Sequence, residues 1–388
     1  MIYTVLPVGS FHGWGVCGKY ITRELSNLDD VTFIDPYFSF EAVHDEFDYR
    51  LLKSKLINEE EYNKITNSTD SRVNHPVLQC ITGNSLLPVL PQLRGSVNIG
   101  YSFFEDNILS DSSIENARRH FDTVATGSSW CEEILRSYGL MNVKTIIQGI
   151  DPTIFNPLHS EKEYMKDLFV IFSGGKFEFR KGQDIVIKAF RHLQDKYGDV
   201  CLVTSWFNSW DFSFNTMSMS RHISFSTPSG DYISVMNKVL ADNGINLDKV
   251  ITLPLYPNIM MSRIYKNTDI GLFPNRCEGG TNLVLMEYMA CGKPVIASYN
   301  SGHKDVLTER NSILLTEMKP VTITSRNGVN AVWQEPSLDE TIEKLEFAYH
   351  NRERLGEIGR RACEDLGNMT WKHTAQEFYQ ILKSGKGS

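Results

Sequence analysis

Short apolar runs alternate with amphipathic stretches along most of the chain. Tyr3–Pro7 precedes a glycine-containing turn and a helical pattern over Val16–Leu28. Strand-like runs follow at Val77–Ile81, Val97–Tyr101, Thr123–Ala125 and Lys144–Ile147, with helical patterns at Ser112–His120 and Ser129–Tyr138. A second series starts near Leu168. Its strands are Phe169–Ser173, Val200–Thr204, Val250–Leu253, Asp269–Phe273 and Pro294–Ala297, and its helices Gln183–Tyr197, Ile259–Lys266 and Asn282–Cys291. Such alternation predicts α/β architecture with helices covering mainly parallel sheets, and two series predict two doubly wound domains. The boundary is set at 1–158 and 159–370, within a Pro-containing linker, Gly149–Lys166. Trp371, Ala375, Phe378 and Leu382 recur at helical spacing, which predicts a last helix, 371–386, returning to the first domain. Ser205–Asp231 breaks the rhythm. It is rich in aromatic, Ser and Met residues, and it is read either as a poorly ordered insertion or as an acceptor shelf or a subunit contact.

Composition narrows the class without naming a chemistry. A length of 388 residues exceeds one comfortable core, in keeping with two domains. Met1–Ile150 carries 12 Lys+Arg against 19 Asp+Glu, so seven of the eight net negative charges lie there. An acidic first half argues against nucleic acid as a partner and limits membrane contact to a peripheral one. No apolar run reaches the ~20 residues of a membrane span. The stretch Met1–Pro7 reads as a strand and not a signal peptide. Seven cysteines without a Cys-x-x-Cys pair suggest neither a zinc site nor a disulfide framework, and point to the cytoplasm. The oligomeric state is not legible.

Candidate chemistry concentrates at two strand–helix junctions of the second series. Glu278-Gly279-Gly280-Thr281-Asn282 leads into a helical stretch carrying Glu287. Glycines before a helix let a ligand approach the backbone, and the first helical turn offers N–H groups to an anion such as a diphosphate. Taken alone, the same residues also fit a tight turn flanked by two solvated glutamates. Gly174-Gly175-Lys176-Phe177-Glu178-Phe179-Arg180-Lys181 places three cations within six residues at the mouth of a strand, where open α/β sheets bind ligands. Lys176, Arg180 and Lys181 are suited to neutralise a leaving diphosphate, or else form a solvated basic turn. In the first half, Gly9–Val16 contains Gly13, Gly15 and His12 beside the first strand, and Glu105 follows another strand as a possible sugar contact or base.

Longer strings within Gly127–Asp305 resemble family 4 (group 1) glycosyltransferases of the GT-B fold. Gln148-Gly149-Ile150-Asp151-Pro152-Thr153-Ile154-Phe155-Asn156-Pro157 is similar to the family's interdomain signature, and Glu287-Tyr288-Met289-Ala290-Cys291-Gly292-Lys293-Pro294 to its most specific string. The resemblance implies two facing Rossmann-like domains with the active site in the cleft between them. It puts Lys176, where the family usually has Arg, and Lys181 on the donor diphosphate. Glu278 falls near the transferred sugar and Glu287 on the ribose, while Gly175, Gly279, Gly280, Thr281 and Asn282 supply backbone contacts. Gly13 and Gly15 approach the donor across the cleft, and Glu105, Lys181 and Glu278 form the catalytic set. Eight residues separate the glutamates here where the family has seven, and the surplus falls in the Gly280–Leu283 turn.

The implied activity is a retaining, metal-independent hexosyl transfer from a UDP- or GDP-sugar to a glycan, lipid-linked or polysaccharide acceptor, with no cofactor. A sugar-nucleotide epimerase or phosphorylase of the same fold, or a non-catalytic assembly subunit, are the alternatives. Lys181 is expected at a surface mouth, so that its removal spares the fold. His303, Lys304 and Asp305 are read as a structural turn.

Overall fold

The computed structural model describes residues 1–226, 229–325 and 328–384. Its first sheet contains β1 (Ile2–Val5), β2 (Val31–Phe33), β3 (Val77–Thr82), β4 (Asn98–Ser102), β5 (Thr123–Thr126) and β6 (Val143–Thr145), parallel in the order β2-β1-β3-β4-β5-β6. Beyond β2, Lys55–Ile57 adds a further edge, with Phe33 N–H on Lys55 O at 2.8 Å and Ile57 N–H on Phe33 O at 2.9 Å. Leu87–Pro88 runs antiparallel against β3.

The second sheet contains β7 (Phe169–Gly174), β8 (Val200–Ser205), β9 (Val250–Thr252), β10 (Ile270–Phe273), β11 (Val295–Ser298) and β12 (Ile313–Leu315). It is parallel in the order β9-β8-β7-β10-β11-β12, the Rossmann order, and β7 is buried along its whole length. Ligands of such sheets bind beyond the strands' carboxyl ends where the order reverses. Those points are β1/β3 in the first half and β7/β10 in the second, which are the places the Gly9–Val16 and Gly174–Lys181 segments occupy. The chain therefore has the GT-B architecture.

The last helix, Trp371–Ser384, packs on the first helix, Gly13–Ser26; residues 385–386 of the expected span lie outside the described residues. Trp371 stacks on Tyr20 at 5.3 Å, Phe378 meets Tyr101 edge-on at 4.8 Å, and Lys383 pairs with Asp29 at 2.5 Å. One buried apolar cluster joins Tyr20 and Tyr101 of the first half, Phe172 and Tyr288 of the second, and Trp371 and Phe378 of this helix.

The sequence reading did not name the helices Glu46–Lys53, Glu59–Thr66, Tyr232–Asp242, Leu338–His350 and Arg352–Leu366, and two further regions bear on the site. Ser205–Asp231 is not a loose insertion: it holds a short helix, Asp211–Phe214, and a 3₁₀ stretch, Asn215–Met219. Trp206, Phe214, Met217 and Ile223 are buried, and Phe177 contacts the rings of Trp206 and Phe214 at 5.7 and 5.3 Å. Its core is made by ring contacts to a residue some thirty positions upstream, which local periodicity does not register. Thr227 and Pro228 of this segment lie outside the described residues. Second, an antiparallel ribbon, Met318–Ser325 with Gly328–Pro336, stands off the second sheet and has no counterpart in the sequence reading.

The two chain crossings between the halves touch. Ile150 and Thr370 form a bridge, and a Cβ on Gly149 would lie 2.2 Å from the Trp371 nitrogen. Gly149→Ala is expected to displace the last helix and to cost about 1–3 kcal/mol through overpacking. The check is the urea unfolding midpoint; an unchanged midpoint would mean that this contact does not hold the helix in place.

Candidate functional site

The two cation- and glycine-bearing junctions are tied together by Arg276, whose side chain is fully buried. Its guanidinium forms a two-toothed pair with Asp184 at 2.9 and 2.8 Å and donates to Phe179 O at 2.6 Å. It also pairs with Glu335 of the ribbon at 2.7 Å and lies over the Phe179 ring at 3.7 Å. Asp184 sits in the first turn of the helix Gln183–Lys196, where the helix dipole favours a carboxylate, and also accepts from Ser220 at 2.6 Å. Backbone bonds complete the joint: Arg276 N–H donates to Arg180 O at 2.7 Å, and Arg180 Nη1 to Cys277 O at 3.0 Å.

This joint brings Lys181, Arg180 and Glu278 into contact. Glu278 is buried, with Lys181 Nζ at 2.6 Å, Arg180 Nη1 at 3.0 Å and Asn275 Nδ2 as a third donor. Burial would raise its carboxyl, but Lys181 and Arg180 overcome that and hold it at about 2, so it is ionised at neutral pH. Arg180 also pairs with Glu178 at 2.5 Å and with Glu105 of the first half at 3.3 Å. Lys176 is half-buried, 3.8 Å from Glu178 and 4.8 Å above the Trp210 ring, and the His12 ring lies 4.7 Å from the same indole. Burial and Lys176 lower the His12 imidazole, which favours its neutral form.

Three cations and three carboxylates thus meet where the halves face each other. The fully solvated alternatives for these residues do not apply. Lys181 in particular is not at a surface mouth: its side chain is 10% exposed and bonded to a buried carboxylate, so its removal also bears on stability.

The Gly279-Gly280 turn presses on the first half. A Cβ at Gly279 would lie 2.5 Å from Phe104 O, and Ser128 Oγ donates to Gly279 O at 2.7 Å. Thr281 is buried, its nitrogen 3.4 Å from Gln148 Oε1. Asn282 takes the left-handed conformation, φ 63°, immediately before the helix Leu283–Ala290. The left-handed step at Asn282 ends the turn and starts the helix. Asn282 Nδ2 lies 3.2 Å from the His303 ring, whose other nitrogen is 3.0 Å from Ser298 O. Asp305 accepts from Ser129 N–H at 2.7 Å, a further tie between the halves.

Glu287 stands apart from this cluster. It is buried on the helix Leu283–Ala290, with Asn258 Nδ2 at 3.3 Å and Tyr265 Oη at 3.4 Å. Gly13 and Gly15 begin the first helix. They reach the cleft only through their neighbours: Ser10 O accepts from Asn258 N–H at 2.7 Å, and His12 meets Trp210. Gly175 has φ 106° and lies along the Lys181 side chain, 3.5 Å from its Cδ measured from an added Cβ. Sequence reasoning grouped Arg180 with the lysines as a cation able to neutralise a leaving diphosphate and quoted Gln148 only within the interdomain string, and it missed Arg276, Asp184, Asn275 and Asn258 as site residues. Arg180 carried a signal in its place between Lys176 and Lys181, and Gln148 in its place at the head of the interdomain string.

Residues 231–325, which include Arg276, Glu278 and Glu287, match the family model described as glycosyl transferases group 1. Spore coat protein SA of Bacillus subtilis (strain 168) is 21% identical over 63% of this chain, and the chain spans 59% of that relative's length. Among solved structures, a sucrose-phosphate synthase from Thermosynechococcus elongatus superposes with a TM-score of 0.67 at 14% identity, covering 99% of this chain and 98% of that one. HepE of Anabaena, in complex with UDP and glucose, gives 0.66 at 12% identity with 99% of both chains covered. A glycosyltransferase from Rickettsia africae gives 0.67 at 13% identity, covering 100% and 98%. The fold is that of GT-B glycosyltransferases, and the segment that carries both glutamates has the glycosyltransferase group 1 pattern.

Burial pushes the Glu287 carboxyl from its ordinary 4.5 up to about 8, against hydrogen bonds from Asn258 and Tyr265 and the charge of Lys19. The folded state therefore holds this proton more tightly than the unfolded chain. Its stabilising contribution is full below about 4.5 and is lost as pH rises through about 8, while Glu278 contributes only above its own low range. Between about pH 5 and 8, wild type is expected to lose unfolding free energy relative to Glu287→Gln, as followed by urea denaturation. Parallel pH profiles in the two proteins would show that Glu287 is already ionised in the fold.

Proposed function

We propose that this chain is a glycosyltransferase that takes a hexose from a nucleoside diphosphate sugar, with retention of configuration and without a metal. The observation that carries the reading is the junction of Lys181, Arg180 and Glu278 with Glu105, at the β7/β10 switch point and shared by both halves. The group 1 match over Glu278–Glu287 supports the reaction class. HepE's complex with UDP and glucose makes UDP-hexoses the first donors to test, with GDP-sugars next.

In the unliganded cluster the cations are already balanced by carboxylates. A diphosphate gains Lys181 and Arg180 only by taking the place of Glu278 on them. That exchange leaves Glu278, ionised and close by, to accept hydrogen bonds from hydroxyls of the transferred sugar. Lys176 is the most exposed of the three cations and meets the incoming charge first. Charge growing on the leaving diphosphate is then stabilised by fixed cations in a site sheltered from water. The acceptor hydroxyl attacks from the same face, and its proton passes to the leaving phosphate oxygen; Glu105 borders that face and orients the acceptor. Glu287, with Asn258 beside it, suits the ribose hydroxyls, and the backbone of Gly279, Gly280, Thr281 and Asn282 the sugar and phosphates.

The acceptor is proposed to be a glycan, lipid-linked or polysaccharide chain. The cytoplasm is the proposed compartment, in keeping with seven cysteines that are all unpaired. Among the described residues no helix is long and apolar enough to cross a membrane.

The expected result is slow release of nucleotide from a UDP- or GDP-sugar without acceptor, undiminished by EDTA. Lys181→Ala should lower kcat/KM for that release by about 10²–10³-fold. It should also destabilise the protein by about 1–3 kcal/mol, since a buried carboxylate loses a partner. Circular dichroism separates the two effects. Epimerisation at C2 or phosphorolysis would replace the transfer reading. Nucleotide-sugar binding with no turnover would make the chain an assembly subunit, and full activity in a folded Lys181→Ala protein would remove the donor site from this junction.

A further inference from the structure

The antiparallel ribbon Met318–Ser325/Gly328–Pro336 belongs to the second half by its chain position but touches both halves. Its base is bonded to the donor-side joint. Gln334 N–H donates to Arg276 O at 3.2 Å, Glu335 pairs with the Arg276 guanidinium, and Asn300 Nδ2 donates to Gln334 O at 3.2 Å. The same strand, Gly328–Pro336, is also bonded to the first-half segment that follows β4. Trp333 Nε1 donates to Glu105 O at 2.8 Å, and Val332 N–H donates to Asn107 Oδ1 at 2.9 Å. Asn107 Nδ2 donates back to Val332 O at 3.2 Å, and Ile108 N–H donates to Asn330 O at 3.1 Å. Beneath these bonds Ile323, Ala331 and Trp333 pack on Phe179 and Cys277, with Trp130 of the first half alongside.

We propose that this ribbon is a strap that fixes the Glu105 segment against Arg180, with Trp333 and Asn107 as positioning residues for transfer. The inference rests on the function proposed above. The geometry has the features such a role requires. Asn107 satisfies both the N–H and the C=O of Val332, so a single side chain mimics the pairing of a neighbouring strand. Trp333 holds the carbonyl of the residue whose carboxylate faces Arg180. The ribbon base grips Arg276, the residue that also holds the Phe179–Lys181 stretch. Movement of the donor-side joint and movement of Glu105 are thereby mechanically linked, and the strap must let go when the halves separate to admit a donor.

Two variants and two readouts test this. Asn107→Ala removes the strand-like pairing at a partly exposed position, and Trp333→Phe keeps an aromatic ring but removes the N–H. Amide hydrogen exchange over 103–110 is expected to quicken by about tenfold in Asn107→Ala, and less in Trp333→Phe, as hydrogen bonds of ordinary net worth are lost. For transfer, kcat should fall about tenfold or more with the donor KM changed less than about twofold, because the loss is of positioning and not of donor contacts. Asn107→Asp, which keeps the acceptor for Val332 N–H, should restore part of both. Unchanged exchange over 103–110 overturns the strap. Faster exchange with unchanged kcat, or a shift confined to KM, overturns the positioning role. If wild type turns over no nucleotide sugar, the proposed function falls, and the strap then stands or falls on hydrogen exchange alone.

Discussion

The site depends on one buried ion pair. Arg276 and Asp184 lie wholly out of water, and neither would be tolerable there alone: removing one partner of such a pair typically costs about 3–5 kcal/mol. Their bidentate geometry fixes a direction as well as a distance. Asp184 lies in the first turn of the helix after one strand, and Arg276 lies at the start of the loop after the neighbouring strand. The pair therefore sets the spacing of the two segments that bear Lys181 and Glu278. Glu335 and Ser220 extend the same grip to the ribbon and to the aromatic segment, so four stretches distant in sequence converge on one guanidinium and one carboxylate.

Charge balance around this joint explains why so many ionisable groups can be buried together. Lys176, Arg180 and Lys181 face Glu105, Glu178 and Glu278 with no net charge, and each buried member has partners of the opposite sign. Desolvation disfavours the charged forms of Glu178, Arg180, Lys181 and Glu278 singly, and their mutual pairing offsets it. Glu287 shows the alternative outcome. It has polar neighbours and only the more distant charge of Lys19 to oppose its burial, and its carboxyl moves toward the neutral form. Two glutamates nine positions apart thus carry opposite protonation preferences, decided entirely by what the rest of the fold aims at them.

Much of the architecture was legible because it rests on local signals. Parallel strands buried on both faces, such as Phe169–Gly174, announce themselves as apolar runs, and the last helix by its 3.6-residue spacing. The lysines, glycines and glutamates at the β7 and β10 junctions stood out for the same reason, since each lies in a short contiguous string. What was not legible depends on long-range pairing. Arg276 and Asp184 are single charged residues in ordinary contexts, 92 positions apart, and nothing local marks either as buried. Trp206, Phe214 and Phe177 make a core through ring contacts that follow no period. The ribbon at Met318–Pro336 carries alternating residues, but its function as a bridge depends on Asn107 and Glu105, more than two hundred positions upstream. The misplacement of Lys181 at an open mouth has the same origin: its burial comes from Glu278 and from the closeness of the first half.

The paired crossings at Ile150 and Thr370 bear on how such a molecule can open. Two bodies joined by a single strand can swivel and twist freely about it. Here the outgoing and returning chains lie side by side, with Ile150 N–H on Met369 O at 2.9 Å and Trp371 N–H on Ile150 O at 3.3 Å. A two-strand tape bends easily out of its own plane and resists shear and rotation within it. Opening therefore resembles a book turning on its spine more than a ball in a socket, and each closure returns the facing residues to the same register.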